Sequence, residues 1–270
     1  MANPEWREAK SDRSPAEGAS STEPPGAAAA LGNSQRHASF QDVASPGTFP
    51  FAFMPDRLRS LPLFPLELVL YPGARQPLHI FEERYKDLAA DCLDTGAPFG
   101  IVLTEDEVLR DIGATAEIEE VARRYDDGRL DLISVGRERF RTEDVRSGER
   151  SYLTADAQLL PDTDPGEAAP PDLRERVITQ HMKLLELAGH TPRPSLYDDA
   201  PDHRLSFVIA QNAALDTSQK QDVLELRSEP ERMTFLSEHL QALLPRVEEQ
   251  QTTRERIRSN GHFEDFPIDD

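Results

Sequence analysis

Residues that could carry nucleophilic or metal chemistry are few and scattered in this sequence. The seven histidines stand singly, and the chain has one cysteine and four lysines. No glycine opens the G-x-x-x-x-G-K-[ST] loop that holds nucleotide phosphates. The sequence also lacks the G-x-S-x-G turn of serine hydrolases and the H-E-x-x-H helix of zinc proteases. We therefore expect no catalytic residue, no cofactor and no bound metal.

His79 and Cys92 are the two single residues that come closest to a reactive position. His79 alternates with Leu78 and Ile80, so its side chain points away from theirs. We interpret it as a structural or surface histidine rather than a ligand. Cys92 falls on the apolar stripe of a helical segment, with no helix terminus or basic neighbour beside it to activate the thiol. We interpret it as a small buried hydrophobic residue.

Three arginines, Arg137, Arg139 and Arg141, recur at every second position of VGRERFR. This spacing places them on one face of a strand. One interpretation is a strip that binds RNA or an acidic peptide. The other is an exposed face paired with neighbouring acids such as Glu143 and Asp144. The acidic surroundings favour the second interpretation.

The net charge of −20 is spread along the chain and is not confined to one end. Residues 58–160, for example, hold 21 acidic and 13 basic residues. Such a field repels nucleic acid phosphates and anionic lipid, so neither is an expected partner. The low share of lysine among the 30 basic residues is typical of a salt-rich cytoplasm and equally of a GC-rich genome. The sequence does not separate these two explanations.

Neither a membrane span nor a secretory signal is visible in the sequence. No apolar run approaches the roughly 18 residues of a membrane helix. The N-terminus has no apolar segment of the signal-peptide type. A single cysteine excludes an intramolecular disulfide. We therefore expect a cytoplasmic protein that makes no membrane contact.

Short apolar runs that end at turn residues predict a β-rich half over 58–160. The first two runs, 61–71 and 77–81, are bounded by Pro62, Pro65, Pro72 and Pro77. Five further runs follow at 98–104, 113–125, 129–136, 137–145 and 151–160, and the seven runs together predict about six strands. An Asp-Gly pair at 127–128 predicts a hairpin turn. The one helix predicted in this half covers Glu82–Asp94 and ends at Gly96.

From about residue 171 the apolar spacing becomes helical. Helices are predicted at 171–188, 203–214, 218–227 and 228–247. The last two begin with apparent capping boxes, Ser218 to Gln221 and Ser228 to Glu231. Four short amphipathic helices in succession favour a compact bundle over 161–247.

Both ends of the chain are polar in composition. Residues 1–57 are rich in Ser, Pro, Ala and Gly, which predicts a disordered leader. The alternative is that the native protein begins at Met54 and that the preceding residues are a gene-model extension. The tail 248–270 is predicted to be flexible and acidic.

Several motifs together resemble the substrate-binding domain of Lon proteases, which also occurs as a stand-alone bacterial protein. The resemblance rests on LPLFPLELVLYPGARQPLHIFEERYKDLAADCL, on FGIVL, and on the hairpin that leads into GRERFR. A helical signature follows in the second half, carried by Lys220, Gln221, Leu224, Glu225, Glu231 and Arg232. The likeness covers about residues 58–247.

This resemblance implies an α+β fold: a PUA-like β-barrel of about six strands and one or two helices over 58–160, then a small four-helix bundle over 161–247, with disordered ends. It implies a non-catalytic, polypeptide-binding module in protein quality control or proteolysis, without the ATPase and Ser–Lys protease domains of full Lon proteases. Expected partners are unfolded or degron-bearing polypeptides, with a separate protease as a further partner. The alternative is a PUA-like RNA-binding protein.

The expected binding surface lies at the rim of the barrel, where prolines would stiffen strand ends and block the addition of further strands. We predict that five residues contact the bound polypeptide: Tyr71, Phe81, Glu82, Glu83 and Arg84. The aromatic side chains would supply apolar contact and the charged side chains would select for charge. Alternatively, Glu82 and Glu83 only stabilise the first turn of their helix, where its dipole favours carboxylates.

Overall fold

The proline-bounded and alternating runs of the first half form six β-strands. The structure, a computed structural model, describes residues 56–106 and 108–260, with side chains as far as residue 254. The strands are β1 (Arg57–Leu66), β2 (Arg75–Ile80), β3 (Phe99–Glu105), β4 (Val108–Arg124), β5 (Leu130–Arg146) and β6 (Leu153–Leu159). Helix α1 (Glu83–Thr95) lies between β2 and β3. It ends at Gly96, as predicted, in a left-handed conformation with φ 68°.

The sheet has the strand order β2-β5-β4-β3-β1-β6 and is closed by a further pairing between β5 and β6. The β1–β3 pair is parallel and the other pairs are antiparallel. The long strand β5 pairs with β2 through residues 130–135 and with β6 through residues 140–146. Five strands therefore form a ring, and β2 lies beside it as an edge strand.

The four prolines of the first two runs occupy positions that tolerate a missing N–H. Pro62 lies where β1 pairs only with β6, and Pro65 lies where β1 pairs only with β3. Pro77 lies in the edge strand β2. Pro72 precedes Gly73, whose φ of 80° forms the turn into β2. Proline cannot donate to a ladder, so the sequence places it where one side of the strand needs no donor.

Several strand boundaries differ from the predicted ones; β4, for example, begins at Val108 rather than at residue 113. The first strand ends at Leu66, because residues 67–74 fold as a loop whose Gly73 N–H donates to Gly136 O (2.8 Å). The runs 129–136 and 137–145 form one continuous strand, β5. Gly136 suggested a strand end, but in the structure it marks the place where the loop approaches the strand backbone.

The second half is helical, as the change of period predicts. Its helices are α2 (Pro171–Leu187), α3 (Ser195–Asp198), α4 (Leu205–Ala210), α5 (Thr217–Glu225) and α6 (Glu229–Asn260), with a 3₁₀ turn at Asp202–Arg204. Helices α2 and α6 pack along each other, and α4 packs on α5 and α6. The mixed sheet and the helices confirm the predicted α+β fold. None of the helices in the described ranges combines the length and apolar composition needed to cross a membrane.

Helix starts and ends in this half differ from the prediction in three places. The predicted box from Ser218 to Gln221 is wrong: Asp216 is the N-cap of α5 and exchanges both capping hydrogen bonds with Gln219. Gln221 is buried and donates instead to Ile112 O in β4 (3.0 Å). The second predicted helix, 203–214, is limited to a 3₁₀ turn and the short α4.

The third difference is the length of α6, which continues past Pro245 to Asn260. The predicted flexible tail is therefore helical over 248–260. The Glu, Gln and Arg residues that follow Pro245 are good helix formers, so their polarity does not indicate a loop. Residues 261–270 of that tail, and residues 1–55 of the predicted leader, lie outside the described residues.

The buried side chains form two apolar clusters. The smaller one fills the barrel interior and consists of Leu61, Leu63, Val102, Phe140, Ala155 and Ala157. The larger one joins α1 and the outer face of the barrel to the helices of the second half. Cys92 belongs to this larger cluster, and its predicted role as a buried hydrophobic residue is confirmed.

His181 on α2 is the one histidine in the described residues that is fully buried. Its Nδ1 atom lies 2.9 Å from the Tyr197 hydroxyl, and its Nε2 atom has no hydrogen-bond partner among the described residues. Burial lowers the pKa of His181 below its usual value. The folded protein therefore keeps this ring neutral at a pH where the unfolded chain binds a proton.

We expect the free energy of unfolding to fall as the pH drops below about 6.5, the pKa of histidine in an unfolded chain, because only the unfolded state gains a proton at His181. One such proton changes the slope by at most about 1.4 kcal/mol per pH unit. Urea unfolding between pH 8 and pH 5 measures this slope. The variant His181→Gln should have a flatter profile, whereas the exposed His190→Gln should match the parent. Equal slopes in parent and His181→Gln would contradict the assignment.

Candidate functional site

The chain turns from the edge strand β2 into helix α1 at Phe81, Glu82, Glu83 and Arg84, which we call the corner. Phe81 is 59% exposed. It is the one aromatic residue among the exposed large apolar side chains of the described residues, which otherwise are Val108, Val145 and Leu196. Hydration of an exposed phenylalanine ring is unfavourable, so contact between the ring and another apolar group would be favourable.

The charged side chains of the corner largely neutralise one another. Arg84 Nε donates to Glu82 Oε2 (2.9 Å), and the Arg84 guanidinium lies 4.5 Å from the centre of the Tyr85 ring. Lys86 Nζ donates to Glu83 Oε1 (2.8 Å) and to Asp127 O in the β4–β5 turn (3.1 Å). Since each carboxylate of the corner has a cationic neighbour, the apolar ring of Phe81 is its most distinctive group.

A small cleft of about 90 Å³ lies beside the corner, between the start of α1 and the β5–β6 loop. Its lining consists of Pro65, Arg84, Tyr85, Ser147, Gly148, Arg150, Ser151, Tyr152 and Leu153. The loop is held against α1 because Ser151 Oγ donates to Asp87 (2.7 Å) and both Arg150 and the Tyr152 hydroxyl bond to Asp91. Pockets for cofactors are typically about 300–1,000 Å³, so this cleft suits one side chain of a bound segment.

Tyr71 is not part of this surface, contrary to the prediction from sequence. It is only 2% exposed, its ring stacks on Phe207 (5.5 Å between centres), and its hydroxyl donates to Lys220 O (3.0 Å). Burial raises its pKa well above the usual value. Tyr71 therefore connects the loop after β1 to the helical half and is unavailable to a partner.

The three arginines of β5 do not form a basic strip. Arg137 Nε donates to Glu117 (2.7 Å) on the neighbouring strand β4. Arg139 is 4% exposed and bonds to Asp162 and to the carbonyl oxygens of Leu224 and Leu226. Burial lowers its pKa to about 10. Both interpretations of the arginine pattern, a binding strip and an exposed paired face, are therefore wrong for Arg139. This residue lies between the barrel and the helices.

A buried ionic cluster, which was not predicted from the sequence, lies between the barrel and the helices. Arg232 of α6 is fully buried and holds Asp162 with two hydrogen bonds of 2.8 Å, one from each terminal nitrogen. It also donates to Glu229 (2.8 Å) and to Ser206 Oγ (2.8 Å). Burial acts to raise the pKa of Asp162, but Arg232 and Arg139 outweigh it, so that pKa lies below its usual value.

One signal in the sequence could have located this cluster. Glu229 and Arg232 fall on the same helical stripe as Met233, Leu236 and Leu240, the buried apolar residues of α6. Charged residues on an apolar stripe must be paired when the stripe is buried. The cluster has a structural role, because it joins β5, the segment after β6 and two helices of the second half.

No arrangement for catalysis is apparent in the described residues. Histidine, cysteine and acidic side chains nowhere converge there as three or more ligands of a metal ion. Burial raises the pKa of the Cys92 thiol to about 11, which keeps it protonated and unreactive near neutral pH. The exposed His79 pairs with Asp131 (2.6 Å) on the outer face of the barrel.

A comparison with protein families matches residues 60–242 to the family described as the ATP-dependent protease La (LON) substrate-binding domain. Among curated proteins, the chain is similar to Lon protease 2 of Syntrophobacter fumaroxidans, with 24% identity over 220 residues, 76% of this chain and 27% of the relative. It is also similar to protein cereblon of Danio rerio, with 27% identity over 115 residues, 40% of this chain and 27% of the relative. The chain thus spans about a quarter of the length of each relative.

Two solved structures resemble the chain over most of their own length. A Lon N-terminal domain protein from Xanthomonas campestris is 28% identical, with a TM-score of 0.54, and the alignment covers 66% of this chain and 97% of that one. The N-terminal domain of Mycobacterium avium complex Lon protease is 17% identical, with a TM-score of 0.50, covering 68% of this chain and 98% of that one. The second likeness bears on the fold alone.

Proposed function

We propose, from the premise that the chain belongs to the family of ATP-dependent protease La (LON) substrate-binding domains, that it binds exposed segments of unfolded or degron-bearing polypeptides without acting on them chemically. The chain is a Lon-like substrate-recognition module. The finer part of the proposal is that the corner is the contact surface and that binding serves protein quality control, with transfer of the bound polypeptide to a separate protease in the cytoplasm.

The observation that carries the proposal is the exposed ring of Phe81 at the turn between β2 and α1, among charges that already have partners. Burying a phenylalanine side chain completely contributes a free energy of roughly 1.5–3 kcal/mol. Because the Phe81 ring is exposed, a bound partner could still gain part of this free energy by covering it. Mutually paired charges around the ring do not demand a specific ionic partner. Such a surface favours weak binding of many apolar segments, which suits recognition of unfolded chains.

We expect the purified protein to bind unfolded, fluorescently labelled casein, and the variant Phe81→Ser to bind it about tenfold more weakly. Fluorescence anisotropy measures both dissociation constants. The matched control is Val108→Ser, since Val108 is 66% exposed but lies at the start of β4, away from the corner in the sequence and the fold. Its affinity should be unchanged.

The charges of the corner form a second arm of the same experiment. Replacing Glu82, Glu83 and Arg84 together by glutamine should change the affinity less than Phe81→Ser does, because these charges are largely neutralised within the protein. The proposal fails if the parent protein binds no unfolded polypeptide, or if Phe81→Ser and Val108→Ser bind as tightly as the parent.

A further inference from the structure

Three aromatic rings follow one another across the outer face of the barrel, from the corner to the β4–β5 hairpin. Phe81 stacks on His79 with 6.0 Å between ring centres and 27° between planes. Tyr125 meets His79 edge-on, also at 6.0 Å. We call Phe81, His79 and Tyr125 the aromatic row. It extends the corner along β2 to residues that the sequence did not single out as a binding surface.

A single carboxylate orients two of the three rings. Asp131 Oδ1 lies 2.6 Å from His79 Nδ1, and Asp131 Oδ2 accepts a hydrogen bond from the Tyr125 hydroxyl (2.8 Å). These hydrogen bonds hold the pKa of Asp131 below its usual value, so the carboxylate remains charged near neutral pH. The rings are therefore held in place before any partner arrives, which lowers the entropy lost on binding.

Two guanidinium groups complete the far end of the row. Arg123 and Arg129 lie 4.5 and 4.8 Å from the centre of the Tyr125 ring. Arg129 also bonds to Asp127 (2.7 Å) in the hairpin turn. Cation–π contacts of this kind restrict the movement of the tyrosine ring.

The edge of β2 next to the row is unsuited to strand addition. Alternate residues of β2 direct their backbone groups to the open edge in the antiparallel ladder with β5, and Pro77 is one of them. Since proline has no N–H, an added strand would meet a gap midway along this edge. A partner at this surface is therefore recognised by side-chain contacts with the row rather than by a continuous backbone ladder.

We propose that the aromatic row binds a short extended segment whose apolar part is an aromatic side chain or a proline. The apolar part would stack on Phe81 and His79. Charge does not select the partner, because the carboxylates along the row are already paired within the protein: Asp131 with His79 and Tyr125, and Asp127 with Arg129. This inference rests on the proposed function and specifies the class of polypeptide that the surface selects.

The test uses three short labelled peptides of glycine and serine: one with a phenylalanine–proline pair between lysines, one with glutamates in place of the lysines, and one with serines in place of the apolar pair. We expect the first and the second to bind the full chain more tightly than the third, and the variants are measured with the first. Tyr125→Ser and His79→Ser should each weaken its binding several-fold and Phe81→Ser about tenfold, with Val108→Ser unchanged. Circular dichroism and the thermal midpoint check that each variant is folded.

The outcomes separate this inference from the proposed function. If Phe81→Ser weakens casein binding while Tyr125→Ser and His79→Ser leave peptide affinity unchanged, the row is wrong and the corner stands. If the parent chain binds no unfolded polypeptide at all, both fail. The row is also overturned if the peptide without the phenylalanine–proline pair binds as tightly as the two that carry it, or if none of the peptides binds.

Discussion

Replacing Arg232 by alanine is expected to lower the free energy of unfolding by about 3–5 kcal/mol, because it leaves the buried Glu229 carboxylate without its cation and leaves Asp162 with Arg139 alone. Arg232 is fully buried and bonds to Asp162, Glu229 and Ser206 at once. Its guanidinium also lies 4.4 Å from the centre of the Phe207 ring. Removing it would leave the Glu229 carboxylate in an apolar environment with Ser206 as its remaining partner.

Urea unfolding at neutral pH, followed by circular dichroism, measures this loss. Domains of ordinary stability have about 5–15 kcal/mol in total, so a loss of this size should lower the urea midpoint of the variant markedly. The control is Arg137→Ala on β5, whose pair with Glu117 is exposed and should contribute at most about 1 kcal/mol. A loss below that size in Arg232→Ala would contradict a structural role for the cluster.

The substitution Gly136→Ala, which adds one methyl group, is expected to lower the free energy of unfolding by about 1–3 kcal/mol. A Cβ atom at this position would lie 2.2 Å from Tyr71 O and 3.0 Å from the Leu70 side chain. The loop 67–74 cannot yield without loss, since Gly73 N–H donates to Gly136 O and Gly136 N–H donates to Ala74 O. Displacing this loop would also withdraw Tyr71 from its contact with the helical half.

The same unfolding experiment tests Gly136→Ala, with the exposed Arg141→Ala on the same strand as control, expected within about 0.5 kcal/mol of the parent. Tyrosine fluorescence of the variant should also change, because Tyr71 is buried against Phe207 in the parent. A Gly136→Ala protein as stable as the parent would mean that the loop does not pack on β5 as described.

Features encoded by neighbouring residues were predictable from the sequence. Helix α1 and its end at Gly96, the period of α2, and the burial of Cys92 each follow from patterns within one or two helical turns. The prolines are a partial exception: the sequence predicts them at strand ends, whereas Pro62 and Pro65 lie within β1, at positions where one side of the strand is unpaired.

Features that depend on packing between distant segments were not predictable in this way. Period-two spacing placed Arg139 on a strand face, but only the fold shows that the helical half covers it. Tyr71 looked like an exposed rim residue because its anchor, Lys220 O, lies 149 positions away in the sequence. The aromatic row depends likewise on β2 and the β4–β5 hairpin meeting, which no local pattern reveals.

The contacts that join the helical half to the barrel, and those that hold α1, also support the corner. Tyr71, Arg139 and Arg232 fasten the helical half to the barrel, and the bonds from the β5–β6 loop to Asp87 and Asp91 hold α1 in place. A corner on such a support presents Phe81 in one position. A flexible client loses conformational entropy when it binds. A surface that is already ordered adds little to this entropy loss, so the affinity is reduced less.

Amide hydrogen exchange of the full chain, with and without an excess of unfolded casein, tests the central claim most directly. If unfolded polypeptide binds at the corner and along the aromatic row, exchange should slow in peptides that cover residues 75–90 and 123–131 and should be unchanged around α3. Exchange that is unaltered in those two segments, or slowed only elsewhere in the chain, would contradict the account.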